Sequence, residues 1–484
     1  MKKYRLKIAV LILGISVFCP GCTSKFDKIN KDPDRPSVVP ATNQLAYIIR
    51  YSSSTLFDDW NDMNEPSTYA GFLTKIQYID ESRYVFRSGN VENKWEYCNM
   101  LLSNIASLKE EGEKDNKPNL LNLARTWEAV IMSIMTDTWR NVPYSDAMRM
   151  EEGILLPKYD TQEEIYPALL AVLKKAADGF DAGGTDNVGE GDILYHGNIR
   201  KWQQLCNSLR LRLAIRISKV AKDLARQTVE EILTNPAKYP LLLENEDNAF
   251  FWWPGSSPYI EPWANNSESR DDHAVSDILV NFLKENKDPR LPVYAKPQVD
   301  NEYVGFTIGA VAQPALNSIS RIGKRFRDDK AGFTPYMRAC ETWFHIAEAS
   351  KLGWKTGSTT KNAYEKAVTL SLEENGIAAE EIATFLAGNA RFNDTFEQIW
   401  WQEWVSLFKQ GMEGWSLYRR TGIPSTHYVA PGSPYSGHNV PPFRYPYPDS
   451  ESSLNKVNVT PHKSKVVDYF WGQQMWWDTR TGVQ

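Results

Sequence analysis

In the stretch NIRKWQQLCNSLRLRLAIRISKV, residues 198–220, Trp202, Leu205, Cys206, Leu209, Leu213, Ile217 and Val220 recur at steps of three and four. That period places them on one side of an α-helix and is incompatible with the two-residue alternation of a strand. Two neighbouring stretches carry the same signal. Leu120, Leu123, Ala124, Trp127, Val130, Ile131, Ile134 and Met135 share a face. In KYDTQEEIYPALLAVLKKA, Thr161 and Glu164 form a capping-box pair ahead of Ile165, Leu169, Val172 and Ala176. CETWFHIAEASKLGW, with Trp343, Phe344 and Ala347, and TFEQIWWQEWVSLFKQG, opened by Thr395 and Gln398, extend the series. A chain patterned this way folds as packed amphipathic helices. No strict repeat of about 34 residues is present, so any tetratricopeptide-like pairs are degenerate. Arg212, Arg216 and Lys219 project opposite the apolar stripe and predict a solvated or salt-bridged face rather than a polyanion site.

The N-terminus differs. Lys2, Lys3, Arg5 and Lys7 precede an apolar run from Ile8 to Phe18, the pattern of an export signal. The run is shorter than the roughly 20 residues of a spanning helix. Cys22 follows Gly21, the small residue a lipoprotein signal peptidase requires, so the stretch resembles a bacterial lipobox with cleavage before Cys22 and acylation of its thiol. It departs from the usual pattern in having Cys19 and Pro20 where Leu and a small residue are commoner. Ordinary secretion and a C-x-x-C metal or redox pair are the competing readings. The expected organisation is a signal peptide over 1–21, a lipidated tether over 22–41 rich in Pro and Asp, and one folded body over 42–484. Each buried acyl methylene contributes about 0.8 kcal/mol to such an anchor.

Losing residues 1–21 removes four cations and no acid, moving the formal charge from −5 to −9. Nucleic acid is therefore not an expected partner, since phosphate binding needs concentrated cations. A mean hydropathy of −0.47 describes a water-soluble body. Cys98, Cys206 and Cys340 are too scattered for a disulfide framework. About 460 residues suffice for a large core.

Long unpatterned segments, about 250–270, 300–335 and 421–465, interrupt the helices. Such lengths are uncommon in a compact body unless they carry function. The six histidines, at 196, 273, 345, 427, 438 and 462, form no H-E-x-x-H, and no nucleophile elbow, P-loop or dinucleotide fingerprint is present. His345 and Glu348 share a helix face without a second histidine. No enzyme and no cofactor are expected; a structural calcium stays open, although no EF-hand spacing exists.

The chain holds 17 Trp and 23 Tyr. Sugar rings pack their C–H faces on exposed aromatic planes while their hydroxyls require fixed polar partners. Trp127, Trp202, Trp343, Trp400 and Trp404 lie in the patterned helices and are expected in the core. In FFWWPGSSPYIEPWANNSESRDD, Phe250 to Trp253 suit a short buried strand, which leaves Tyr259, Trp263, Asn265, Asn266 and Arg270 as candidate ligand contacts. DDWNDMNEPSTYAGFLTKIQY adds Trp60 and Asn61.

Eight segments occur here in a fixed order: TDTWRNVPYSDAM, PKYDTQEEIY, GDILYHGNIRKWQQLCNSLRLRLAIRIS, KDPRLPVYA, FHIAEASKLGW, EGWSLYRRTGIP, RYPYP with Glu451 and Asn455 after it, and the late pair Trp476 and Trp477. In this the chain resembles the SusD/RagB outer-membrane lipoproteins, and most of all the second SusD-like subfamily. The resemblance implies a mainly α fold of tetratricopeptide-like helical pairs carrying a loop-rich ligand face. It implies a surface lipoprotein that hands an oligosaccharide or peptide to a SusC-like TonB-dependent transporter, and places the loop before KDPR at the ligand face. A surface glycan-acting enzyme and a transporter-stabilising subunit with little ligand affinity are the alternatives. Arg419, Arg420 and Arg444 sit in the family words and are expected to hydrogen-bond loop carbonyls.

Overall fold

The computed structural model describes residues 40–484 apart from 185 and 187. The expected signal segment, Cys22 and nearly all of the tether lie outside the described residues. Long helices run in sequence as α1 (Ala41–Thr55), α2 (Ser88–Lys114), α3 (Pro118–Trp139), α4 (Gln162–Gly179), α5 (Ile199–Arg216) and α6 (Lys222–Leu233). After an irregular stretch come α7 (Pro262–Ser269), α8 (Asp277–Glu285), α9 (Ala339–Lys351), α10 (Thr360–Glu374), α11 (Ala379–Ala387), α12 (Phe396–Ser406) and α13 (Gly411–Thr421). No helix among the described residues is long and apolar enough to cross a membrane.

Local chemistry sets the helix starts. Thr161 and Glu164 close a reciprocal capping box on α4, Asn198 accepts from the Lys201 amide at α5, and Thr395 accepts from Gln398 at α12. Consecutive helices then pack side by side from α2 to α6, and α9 joins α5, α10 and α12 to this array. The three residues between α2 and α3 allow only an immediate reversal. The scaffold is thus a set of tetratricopeptide-like helical pairs. Trp127, Trp202 and Trp404 are fully buried in it, while Trp343 and Trp400 are partly covered at its edge.

Strands are short and form four separate antiparallel pairs: β1 (Leu73–Lys75) with β3 (His273–Val275), β2 (Ala249–Trp252) with β6 (Phe333–Met337), β4 (Ala295–Lys296) with β5 (Arg321–Ile322), and β7 (Val466–Val467) with β8 (Trp471–Gly472). They clip the long loops to the helical body. Alternation across β2 turns Trp252 outward and lets Trp253, just beyond it, donate its indole N–H to Thr334 at 3.0 Å.

The cations of α5 are salt-bridged, as one expected alternative had it, but inside the protein. Arg212 meets Glu341 of α9 through two bonds of 2.5 and 2.7 Å. Arg216 is held between Asp137 of α3 and Glu413 of α13. Asp137 also receives the Tyr166 hydroxyl at 2.7 Å and the Trp477 indole N–H at 3.1 Å. Lys219, one turn on, donates to the Arg420 carbonyl. Arg419 donates to the carbonyls of Asp137 and Phe443 at 2.7 and 2.9 Å, and Arg444 to that of Trp139 at 2.5 Å; the Phe443 carbonyl is in a loop as expected, whereas the other two belong to the last turn of α3. Arg420 does otherwise: its guanidinium grips both oxygens of Glu348. Of the five carboxylates among these arginines, Asp137, Glu341, Glu348 and Glu403 are buried and Glu413 is partly covered, and one of the five has no arginine among the described residues within ion-pair distance.

That one is Glu403, on which burial acts first; despite the pull of His345 and Arg420 its carboxyl is pushed up to about 7 from an ordinary 4.5. Between those two values the unfolded chain has lost the proton and the folded protein keeps it, so this group makes stability fall as pH rises through the window and leaves it flat above. Glu403→Gln removes that dependence. Its thermal midpoint is expected to gain on wild type between pH 4.5 and 7 and to hold a constant difference beyond; an equal difference at pH 4.5 and 7.5 would refute the assignment.

Candidate functional site

The pairing of β1 with β3 builds the candidate site. Lys75 stands opposite His273, and the Ile76 amide donates to the Asp272 carbonyl at 2.9 Å. Residues 76–78 therefore run beside 270–272, although nearly 200 positions separate them in sequence. Tyr78 follows with φ of 50° and projects outward, 68% exposed. The Arg270 guanidinium lies 5.1 Å from its ring centroid, a cation–π contact that backs the ring. Arg270 is itself fixed by Asp272 at 3.0 Å, and Lys75 reaches the same carboxylate at 2.8 Å. Although burial opposes it, His273 and Lys75 hold the Asp272 carboxyl well below the usual range. The Asp272 carboxylate that anchors Arg270 behind the tyrosine thus stays charged.

Trp60 enters from the other side. It lies in a π-helical turn, Asp59–Met63, whose start is tied by the Asp58 carboxylate to the Asn61 amide at 2.6 Å and whose Asn61 side chain donates to the Thr55 carbonyl at 2.8 Å. Single π turns recur at functional sites because they re-aim one side chain. Here the half-buried Trp60 faces Gln77, Tyr78, Glu81, Arg87, Ser269 and Arg270 across an open groove of about 760 Å³. Arg87 is steadied by Asp80 at 2.9 Å. Next to the groove, Arg83 donates to the Ala310 carbonyl at 3.0 and 2.9 Å and pins the loop that exposes Val311. Two aromatic faces with guanidinium, amide and hydroxyl groups between them match the composition that a sugar requires. Among the described residues no cluster of His, Cys, Asp and Glu is arranged to hold a metal ion.

Of the residues singled out in the sequence, Trp60 and Arg270 meet in this groove. Asn265 is exposed on α7 one turn before Ser269, on the same face. Tyr259 lies elsewhere: 42% exposed, it sits under Arg50, 5.5 Å from the guanidinium, beside a tyrosine cluster of Tyr47, Tyr51 and Tyr97. Three others must be corrected. Trp263 is 1% exposed and packs edge-on against Phe408 with the Lys409 ammonium 5.3 Å from its ring. The segment read as loop is the helix α7, started by Pro262 after the capping Glu261, and it turns Trp263 inward. Asn266, on α7 as well, is buried and donates to Asp59 at 3.2 Å. Asn61 is buried and committed to main-chain bonds. Tyr78, Gln77 and Arg87 were not singled out; the aromatic Tyr78 within an unpatterned stretch was their only local signal.

Comparison with known proteins agrees with this architecture. The family model SusD-like_2, described as starch-binding and associating with the outer membrane, matches residues 34–448. A chitin-binding SusD homologue from Flavobacterium johnsoniae superposes with a TM-score of 0.79 at 24% identity, covering 90% of this chain and 98% of its own. A SusD homologue from Bacteroides uniformis gives 0.77 at 22%, covering 91% and 99%. A SusD-like protein from Bacteroides thetaiotaomicron gives 0.78 at 22%, covering 91% and 99%. A comparison with curated proteins finds no match. At these identities the structures speak for the fold; the family model, spanning most of the sequence, shows that this chain belongs to the SusD-like_2 family.

Proposed function

We propose that the protein is a non-catalytic surface lipoprotein, attached through Cys22, that captures an oligosaccharide in the groove between Trp60 and Tyr78 and delivers it to a SusC-like TonB-dependent transporter. The observation that carries this reading is Tyr78: a large aromatic ring displayed to solvent on a left-handed backbone, backed by a fixed guanidinium and faced by the Trp60 indole. A single exposed ring is ordinary on a protein surface; what supports a ligand here is its pairing with Trp60 across a groove that also holds polar groups. A sugar ring would stack on Tyr78 and Trp60 while Arg270, Arg87, Gln77 and Ser269 hydrogen-bond its hydroxyls. The family description names starch and one structural neighbour chitin, so malto- and chito-oligosaccharides are the first probes. Outer-membrane association fits the acylated Cys22 and the acidic body that remains after processing.

Binding on an array of oligosaccharides and peptides, followed by calorimetry on the best ligand, tests the groove. Trp60→Ala and Tyr78→Ala are each expected to weaken affinity about tenfold, near 1.4 kcal/mol, and Tyr78→Phe to retain it; prolonged incubation releases no products. No binding by wild type, or unchanged affinity in both alanine variants, removes the groove. The mass of the N-terminal peptide from native membranes tests the anchor, which an unacylated Cys22 would exclude.

A further inference from the structure

A second exposed ring repeats the device of Tyr78. The β7–β8 hairpin reverses through Asp468 and Tyr469, with φ of 46° and 64°, a left-handed conformation that residues other than glycine adopt seldom. An Asn-Gly pair would occupy such a reversal with ease; here it carries an aspartate and a tyrosine. The hairpin is held firmly: Phe470 and Trp471 are buried, and the Phe470 carbonyl accepts from the amides of Phe443 and Arg444 at 2.8 and 3.2 Å. Yet Tyr469 is 46% exposed. Its ring is stacked on Phe86 at 4.2 Å with 12° between planes, and Tyr435 stands 6.0 Å away. Backbone strain at an exposed aromatic ring points to use rather than to packing.

The surroundings define the use. Phe86, which backs Tyr469, immediately precedes Arg87, which lines the groove already described. One residue of chain therefore joins the ledge of Phe86, Tyr469 and Tyr435 to the lining of the groove. On its other side the His438 ring bonds the Asp468 carboxylate at 2.9 Å and stacks on Trp471 at 4.0 Å, which leaves oriented polar groups next to the free aromatic face. We propose that Tyr469 is a second sugar-stacking platform, which takes a later unit of an oligosaccharide whose first units fill the Trp60–Tyr78 groove. This rests on the glycan reading above and adds that the protein selects for chain length.

Calorimetry with maltose- and chitobiose-based series of two to eight units tests it on the intact protein. Wild type is expected to bind longer members of its preferred series progressively better. Tyr469→Asn, which suits the left-handed turn and removes the ring, is expected to bind the shortest members as wild type does and to lose about fivefold on the longest. Tyr469→Phe should behave as wild type, and the thermal midpoint of Tyr469→Asn should not fall. Trp60→Ala should weaken every length alike. A length dependence absent from wild type, or kept in full by Tyr469→Asn, overturns the platform while leaving the groove intact. Failure of every length to respond to both Trp60→Ala and Tyr78→Ala overturns the groove and the platform with it.

Discussion

Arg216→Met is expected to destabilise the protein by about 3–5 kcal/mol, because it leaves the buried Asp137 and the partly covered Glu413 without their shared cation. Methionine keeps the bulk of the side chain, so the loss reports charge rather than a cavity. The comparison is Arg149→Met: Arg149 pairs with Glu152 on the surface, where solvent screens the interaction, and its removal should leave the urea midpoint in place. If both variants unfold at the wild-type midpoint, the buried network does not hold the scaffold together. The asymmetry matters more than the number of ion pairs. Replacing the whole cluster by apolar residues could be neutral, whereas removing its central cation strands the buried Asp137 and leaves Glu413 only the longer contact to Arg212 at 3.5 Å.

Trp263→Ala should cost a comparable 3–5 kcal/mol, the usual penalty for emptying a buried aromatic site. Phe408 would lose its edge-on partner, and Lys409 the ring that faces its ammonium. Affinity for oligosaccharide, measured per folded molecule, should stay at the wild-type value, since Trp263 offers no surface to a ligand. A variant that is as stable as wild type yet no longer binds would return Trp263 to the site. Denaturant melts combined with calorimetry decide between the two, and the pair of results separates core tryptophan from ligand-facing tryptophan within one segment.

That segment shows where reading a sequence succeeds and where it stops. Helices with a cap signal, such as α4 behind Thr161 and α12 behind Thr395, were legible because their signals lie within a few residues of one another. The fate of Arg212 and Arg216 was not. Set opposite the apolar stripe in the sequence, they in fact follow Leu205 and Leu209 by seven positions and share its buried edge, where they meet Glu341 and Glu413, which arrive 129 and 197 positions later. Trp263 failed for a related reason. An eight-residue helix is too short to display a period, so only Glu261 and Pro262 announced it. The groove was half visible: Trp60 and Arg270 stood out by composition, whereas Tyr78 gains its meaning only when β1 pairs with β3 and brings Arg270 over its ring.

The hydrogen bond between Asp137 and Trp477 spans 340 positions, and this fixes an order of events. Helix α3 can coil as soon as its residues exist, and Asp137 in its last turn can meet Tyr166 and Arg216 within the next 79 positions, but the bond to the indole waits until the far end of the polypeptide docks. Contacts so distant in sequence are slow to form. The last closure of the core around Asp137 would therefore come only with the final tryptophans of the chain.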